Sequence, residues 1–465
     1  MNNKIKTLLY FLFLGIINNV NAQVTTTDSF NGIWKMRGYG KIIQINDSVV
    51  NNFDVTAISR TLNSQIKKES IEGELGKIEL LNKNVLTLKE GQMNYFLDRI
   101  DEFPTAEVNS EKQKDPNYIF DVFWNTMNEN YPFFKERKID WPEIQTKYGD
   151  KNIKNERQLG RILKKIVQQL NDEHTTIITK RTSDALPYHG SNKFTSNLED
   201  KILNHYVKTP KRYGKSINGN GLLNYGITEN NVGYIQINNM MFFSDKYNIP
   251  STSAGFDYLF AYLAAAANNK NHVEEEKKEV NTLMQNIIDE LQNTNAIIID
   301  LRFNMGGFDF VSLEMLKYFT NTKTKLFSKK AKFLNSFTEP QNFSINPADK
   351  TYNKRVFLLT SHQTASAAEI FTLGSMKMKN IKRVGSNTQG VFSDVLAKKL
   401  PNGWTLNISN EVYQNETGIC YENVGIPPDI TINYPKNPIF FIAKLKTRIK
   451  SGDKAIEMVY KLIEK

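Results

Sequence analysis

From residue 296 onward the chain alternates uninterrupted apolar runs with helix-forming stretches, a pattern that few architectures accommodate. Ala296-Ile297-Ile298-Ile299-Asp300-Leu301, Val356-Phe357-Leu358-Leu359-Thr360 and the shorter Lys382-Arg383-Val384-Gly385 read as strands. Val280 to Leu291, Val311 to Phe319 and Ile370 to Met378 read as helices. A strand that is apolar on both sides needs cover on both faces, and alternating helices supply it. The fold class is therefore α/β with a largely parallel sheet. Ligands of such sheets bind beyond the carboxyl ends of the strands. Two segments fall there: Arg302-Phe303-Asn304-Met305-Gly306-Gly307 and Thr364-Ala365-Ser366-Ala367-Ala368-Glu369.

The 465 residues leave room for further domains. Residues 1–22 read as a signal peptide: Lys4 and Lys6 are followed by the apolar Leu8 to Ile17 and by Val20-Asn21-Ala22. That apolar run is short of the ~20 residues a bilayer span needs. A periplasmic or secreted protein with no stable membrane insertion after cleavage is the expectation. Residues 23–110 form a β-rich domain by their alternation, as in Gly32 to Ile45 and Val85 to Leu88. Residues 111–230 form a helical subdomain with a connecting segment. Asp115-Pro116 opens one helix, Asp140-Trp141-Pro142 opens the next segment, and Glu156 to Leu170 is an amphipathic helix. About Arg181 to Gly221 the chain reads as irregular and polar. Residues 231–465 form the α/β core, with an insertion at about 244–281 that reads as an exposed helical hairpin. Its run Glu274-Glu275-Glu276-Lys277-Lys278 reads as a solvated face.

The net charge of +11 comes from lysines spread along the chain, with no basic block interleaved with aromatics, so no nucleic-acid partner is expected. The single cysteine, Cys420, excludes an intrachain disulfide and reads as a buried structural thiol. No HExxH, Walker loop, GxGxxG or GxSxG is present, and neither a metal nor an organic cofactor is implied.

Ser366 stands between a buried strand and a helix start, flanked by small residues. It is either a helix cap or a nucleophile placed for acyl transfer. The amide of Ala367 and the glycine loop at Gly306 and Gly307 are candidate oxyanion donors, because glycine lets the backbone approach a substrate. A serine needs a base, and the chain has five histidines: His174, His189, His205, His272 and His362. His205 and His272 lie in polar stretches that read as exposed, His189 in a loop, and His362 on the approach turn to Ser366. His174 ends the amphipathic helix behind Asp172 and Glu173, where it either caps or projects into a cleft. Glu422 is the candidate carboxylate partner, while Asp429 in Pro427-Pro428-Asp429 reads as a turn cap.

Ile299 to Gly307, Thr364 to Glu369, Gly385 to Gly390, Leu400-Pro401-Asn402-Gly403 and Glu422 to Ile430 together resemble the C-terminal-processing serine peptidases. That family includes the tail-specific proteases and the tricorn protease core. The likeness covers about residues 115–465. It implies a ClpP/crotonase-like α/β core, protein or peptide substrates, Ser366 as nucleophile, and an oxyanion site from Gly306, Gly307 and Ala367. The tail-specific branch uses a serine–lysine dyad, but Val391 stands where that lysine would be. Lys398 and Lys399 follow in a strand that reads as facing solvent. The tricorn-like branch uses an upstream histidine and a downstream glutamate, and here His174, Ser366 and Glu422 occur in that order. The stretch from Arg181 to Gly221 is too short for a PDZ module. The resemblance thus implies an exported serine endopeptidase with a His174–Ser366–Glu422 set. The alternative is a non-catalytic peptide-binding protein on the same scaffold.

Overall fold

The computed structural model describes residues 30–104, 111–149, 152–179 and 192–464. The expected signal peptide and His189 lie outside the described residues. The chain forms two compact units. The first draws on Met1–Pro187, Lys329–Gln341 and Ser393–Tyr413, and the second on Tyr188–Ser328, Asn342–Phe392 and Gln414–Lys465.

In the first unit a seven-stranded antiparallel sheet runs in the order Ser59–Lys67, Val49–Thr56, Lys41–Ile45, Gly32–Met36, Met93–Ile100, Val85–Glu90, Lys77–Asn82. Burial alternates along Trp34, Lys35 and Met36 as the pleat requires, with Trp34 wholly enclosed. The helix Pro116–Asn130 starts where Asp115 accepts from the Asn117 amide and proline occupies the first turn. Asn155 caps Glu156–Leu170 by accepting from the Gln158 amide at 3.0 Å. That helix buries Leu159, Leu163, Ile166 and Leu170, and stops at Asn171, whose φ of 49° suits asparagine. Its last carbonyls, at Leu170 and Asn171, accept from the Arg137 guanidinium. The chain then enters Thr176–Ile178, which pairs with Thr405–Ser409, itself the partner of Val395–Lys399.

The structure corrects the solvent-facing reading of Lys398. This lysine is buried, and its ammonium donates to the carbonyls of Tyr39 and Gly40 and pairs with Asp54 at 3.3 Å. Burial lowers its pKa to about 8.

The second unit carries the α/β sheet. Its order is Ile430–Thr431, Ile381–Gly385, Val356–Thr360, Ile297–Asp300, Gly233–Ile237, Leu223–Ile227, Lys211–Tyr213. The first five strands are mutually parallel; Leu223–Ile227 pairs antiparallel with Gly233–Ile237, and Lys211–Tyr213 pairs antiparallel with Leu223–Ile227. Ile298 pairs with Phe357, and Phe357 with Lys382, so both apolar runs lie centrally. The α/β reading holds. One face packs Ile298, Phe357 and Leu359 against Phe441, Ile456 and Val459.

Three further readings change. The stretch expected to be irregular contains a helix, Asn192–Tyr206, whose Leu198, Ile202 and Leu203 join that core. The insertion does form two helices, Gly255–Ala267 and His272–Leu291, but Glu276 and His272 are buried rather than solvated. Glu276 accepts from the amides of Phe242 (3.2 Å) and Phe243 (2.9 Å) and from the Tyr262 hydroxyl, and burial raises it to about 7. Cys420 is half-buried in a loop, not enclosed in a strand. Among the described residues no helix is long and apolar enough to cross a membrane.

At the carboxyl end of Ile297–Asp300 the Arg302 guanidinium is fully buried. It reaches Asp300 and Asp453, each at 2.6 Å, and the Tyr434 hydroxyl at 3.1 Å. Deleting the cation would strand two enclosed carboxylates. Arg302→Met should therefore lower the unfolding free energy by about 3–5 kcal/mol. A shift of the urea midpoint at pH 7, compared with wild type, measures it.

Candidate active site

Beyond the strand Val356–Thr360 the chain makes a tight approach turn before the helix Ala367–Ser375. Hydroxyl side chains fix that turn to the neighbouring loop: Ser361 Oγ donates to Arg302 O at 2.6 Å and Thr364 Oγ1 to Leu301 O at 2.8 Å. The Ala365 amide donates to Asn304 O at 3.1 Å. Ser366 then occupies the N-cap position with φ 54° and ψ −128°, and its side chain makes no capping bond. A non-glycine residue in this region costs about 1–3 kcal/mol and persists only when its surroundings enforce it. Here Ser366 N donates to Val391 O at 3.1 Å, and Ser366 O accepts from Glu369 N at 2.7 Å. The hydroxyl is half-buried and makes no hydrogen bond among the described residues. Ser366 thus stands at the N-cap position without capping through its side chain.

The glycine loop lies against the serine. A Cβ on Gly306 would stand 2.6 Å from Ser366 Cβ and 2.9 Å from the Ala367 amide nitrogen, and Gly306 has φ 102°. Glycine is required there both for space and for conformation. A Cβ on Gly307, at φ 148°, would collide with the Met240 main chain. The Gly306 amide donates to Asn304 Oδ1 at 2.8 Å, and Met240 bridges Gly306 O and the Phe308 amide. The amides of Gly307 and Ala367 make no hydrogen bond among the described residues. Ala367 opens a nine-residue helix, so its amide lies at the positive end of the dipole.

Two residues of this site escaped the sequence reading. Asn304 accepts from Gly306 and donates its amide to Ile237 O at 3.0 Å, which shapes the glycine loop from within. Glu369 is fully buried and accepts from Gly390 N at 2.8 Å and Val391 N at 2.7 Å. Burial raises its carboxyl to about 7. An acidic residue in the first helical turn was the available signal. Asp429 proves to be a partner of Arg383, taking its main-chain amide and its guanidinium.

Ser366, Gly306, Gly307, Ala367 and Glu422 belong to the second unit, and His174 to the first. Glu422 is buried, and its Oε2 accepts from Phe392 N at 2.9 Å. The His174 amide donates to Asp172 Oδ1 at 3.1 Å, and Nδ1 lies 2.6 Å from Ser393 O. A carbonyl oxygen can only accept, so Nδ1 carries the proton and Nε2 the lone pair. Asp172 is held by Tyr131 (2.9 Å), Thr175 (3.1 Å) and Ser409 (3.0 Å) and faces Arg137 at 3.6 Å. Among the described residues no group of three or more His, Cys, Asp or Glu side chains is arranged to hold a metal ion.

Residues 231–432 match the model of peptidase family S41, and residues 112–155 match that of the tricorn protease C1 domain. A nisin-resistance protein of Lactococcus lactis is 29% identical over 168 residues, 34% of this chain and 52% of that protein. A protein of Staphylococcus aureus named as a probable CtpA-like serine protease is 29% identical over 159 residues, 34% of this chain and 31% of that one. The alignments thus span about half or less of these curated relatives. A Parabacteroides merdae protein, crystallised under a peptidase designation, shares the fold. Its TM-score is 0.55 at 20% identity, over 75% of this chain and 96% of its own. The family model falls on the α/β sheet, the glycine loop and the Ser366 turn together. Residues 231–432 thus carry the match to peptidase family S41, the C-terminal-processing serine peptidases.

Proposed function

We propose that the protein is an exported serine endopeptidase that cleaves protein or peptide substrates through an acyl-enzyme on Ser366. The observation that carries this reading is the uncapped Ser366 hydroxyl at a strained helix start, beside the unengaged amides of Ala367 and Gly307. Ser366 Oγ attacks the scissile carbonyl, and its proton passes to His174 Nε2. The tetrahedral oxyanion receives the Ala367 and Gly307 amides, worth ~10²–10³ in turnover per donor. Gly306 contributes its missing side chain, which leaves the approach to Ser366 open. His174 then returns the proton to the leaving amine, and water repeats the sequence on the ester. Glu422 supports the base through the chain segment it holds at Phe392, next to the carbonyl that receives Nδ1. Lys398 takes no part, because all three ammonium protons already have acceptors in Tyr39, Gly40 and Asp54. Export rests on the sequence of residues 1–22 and on that alone.

Ser366→Ala should reduce turnover of an unstructured protein substrate on the order of 10⁶-fold. Thermal unfolding of that variant should stay as in wild type, and wild-type protein should label with a fluorophosphonate at Ser366. Undiminished turnover in Ser366→Ala, or no labelling of the folded wild type, would sink the assignment.

Gly306→Ala should lower kcat by about 10²-fold or more, since its methyl group displaces the serine and crowds the oxyanion site. Lys398→Met should keep the fluorophosphonate labelling rate within about twofold while lowering stability by at least ~1 kcal/mol, the scale of its lost hydrogen bonds. Loss of labelling in a folded Lys398→Met protein would restore the lysine as a base.

A further inference from the structure

The imidazole of His174 is held on Nδ1 by the main-chain carbonyl of Ser393, and that carbonyl belongs to a segment pinned by buried charge. Ser393 Oγ accepts from the Glu411 amide at 3.0 Å and donates to Asp394 O at 2.9 Å. Lys329, almost wholly enclosed, donates to Glu411 Oε2 at 2.9 Å, to the Asp394 carboxylate, and to the Tyr413 hydroxyl at 3.3 Å. Tyr413 in turn donates to Asp394 Oδ1 at 3.0 Å. The remaining Glu411 oxygen, Oε1, receives the Tyr39 hydroxyl at 2.5 Å. Tyr39 follows the strand Gly32–Met36 of the N-terminal sheet, 372 positions from Glu411, and its ring packs edge-on against Tyr95 at 5.1 Å.

The enclosed Lys329 ammonium and Glu411 carboxylate carry a large desolvation cost unless every donor and acceptor is met, while Asp394 is partly exposed. Here they are met by groups that converge on one short segment, Ser393–Asp394. Nothing in the proposed chemistry uses Lys329, Glu411 or Tyr39 directly. Their geometric consequence is the placement of one carbonyl oxygen, and with it the direction of the imidazole.

We propose that Tyr39, Glu411, Lys329 and Asp394 are positioning residues for His174, and that the N-terminal sheet is thereby part of the device that aims the base. This rests on the reading of His174 as the base of Ser366. The network acts on kcat, because it fixes a group that works in the transition state, and leaves substrate binding alone.

The test uses the full chain with Tyr39→Phe, Glu411→Ala and Glu411→Gln, and His174→Asn as the reference. Tyr39→Phe removes one hydroxyl, and kcat should fall several-fold with KM unchanged. Glu411→Ala should lower kcat by about 10²-fold where it folds, the scale of a misplaced catalytic group. Glu411→Gln, whose amide can still bridge Lys329 and Tyr39, should recover most of that loss. By NMR the His174 Nδ1–H proton, identified by its absence in His174→Asn, should shift or exchange faster in Tyr39→Phe. A folded Tyr39→Phe protein with wild-type kcat and an unchanged Nδ1–H resonance overturns the proposal. Wild-type turnover in His174→Asn instead overturns the base assignment itself, and the network proposal with it.

Discussion

The buried Arg302 ion pairs are the constraint on which the rest of the serine site depends. By closing on Asp300 and Asp453, the guanidinium fixes the backbone just past the central strand, and that backbone then serves as a template. Leu301 O and Arg302 O receive the hydroxyls of Thr364 and Ser361, and Asn304 O receives the Ala365 amide. Three hydrogen bonds at ~1 kcal/mol each suffice to hold a serine whose backbone conformation costs about 1–3 kcal/mol. The same loop presents Gly306 to Ser366, so nucleophile and glycine loop share one anchor.

Position 391, where the resemblance would place a lysine, has a structural duty in its main chain. Val391 lacks a lysine's proton chemistry, yet its main chain joins both halves of the turn: its carbonyl receives the Ser366 amide and its amide donates to Glu369. Glu369 thus ties the first turn of the serine helix to the loop that covers it. The valine side chain is buried and needs only to be apolar. A lysine in its place would bury an ammonium, at a cost the present side chain avoids.

What the sequence made legible follows from the range of the forces involved. Strands at 297–300 and 356–360 were readable because two-sided burial writes a continuous apolar run, the helix at 116–130 because its Asp-Pro start is local, and that at 156–170 because its apolar residues recur at helical spacing. The location of Ser366 and the glycine loop past strand ends was readable because the strands before them were. Lys398, Glu276 and Lys329 were not, since nothing local distinguishes a buried charge from a solvated one. Their partners are remote: the Lys398 ammonium meets Tyr39 across 359 positions. The glycine pair was visible, but which amide stays unengaged depends on the Asn304 side chain taking the Gly306 proton. The helix at 192–206 was hidden because its few apolar residues are interrupted by polar ones.

A carbonyl on Nδ1 also changes how the proposed mechanism distributes its work. It fixes the tautomer as a carboxylate would, but it offers a neutral acceptor, and a neutral hydrogen bond gives about half the stabilisation of a charge-assisted one. In that proposal an imidazolium formed at His174 would be less well compensated at Nδ1 than in a set whose carboxylate bonds there directly. Asp172, on the main-chain amide of the same histidine, places a carboxylate nearby without touching the ring. Under the proposed mechanism the larger share of transition-state stabilisation would then fall to the oxyanion side, on the Ala367 amide at the positive end of its helix and on Gly307.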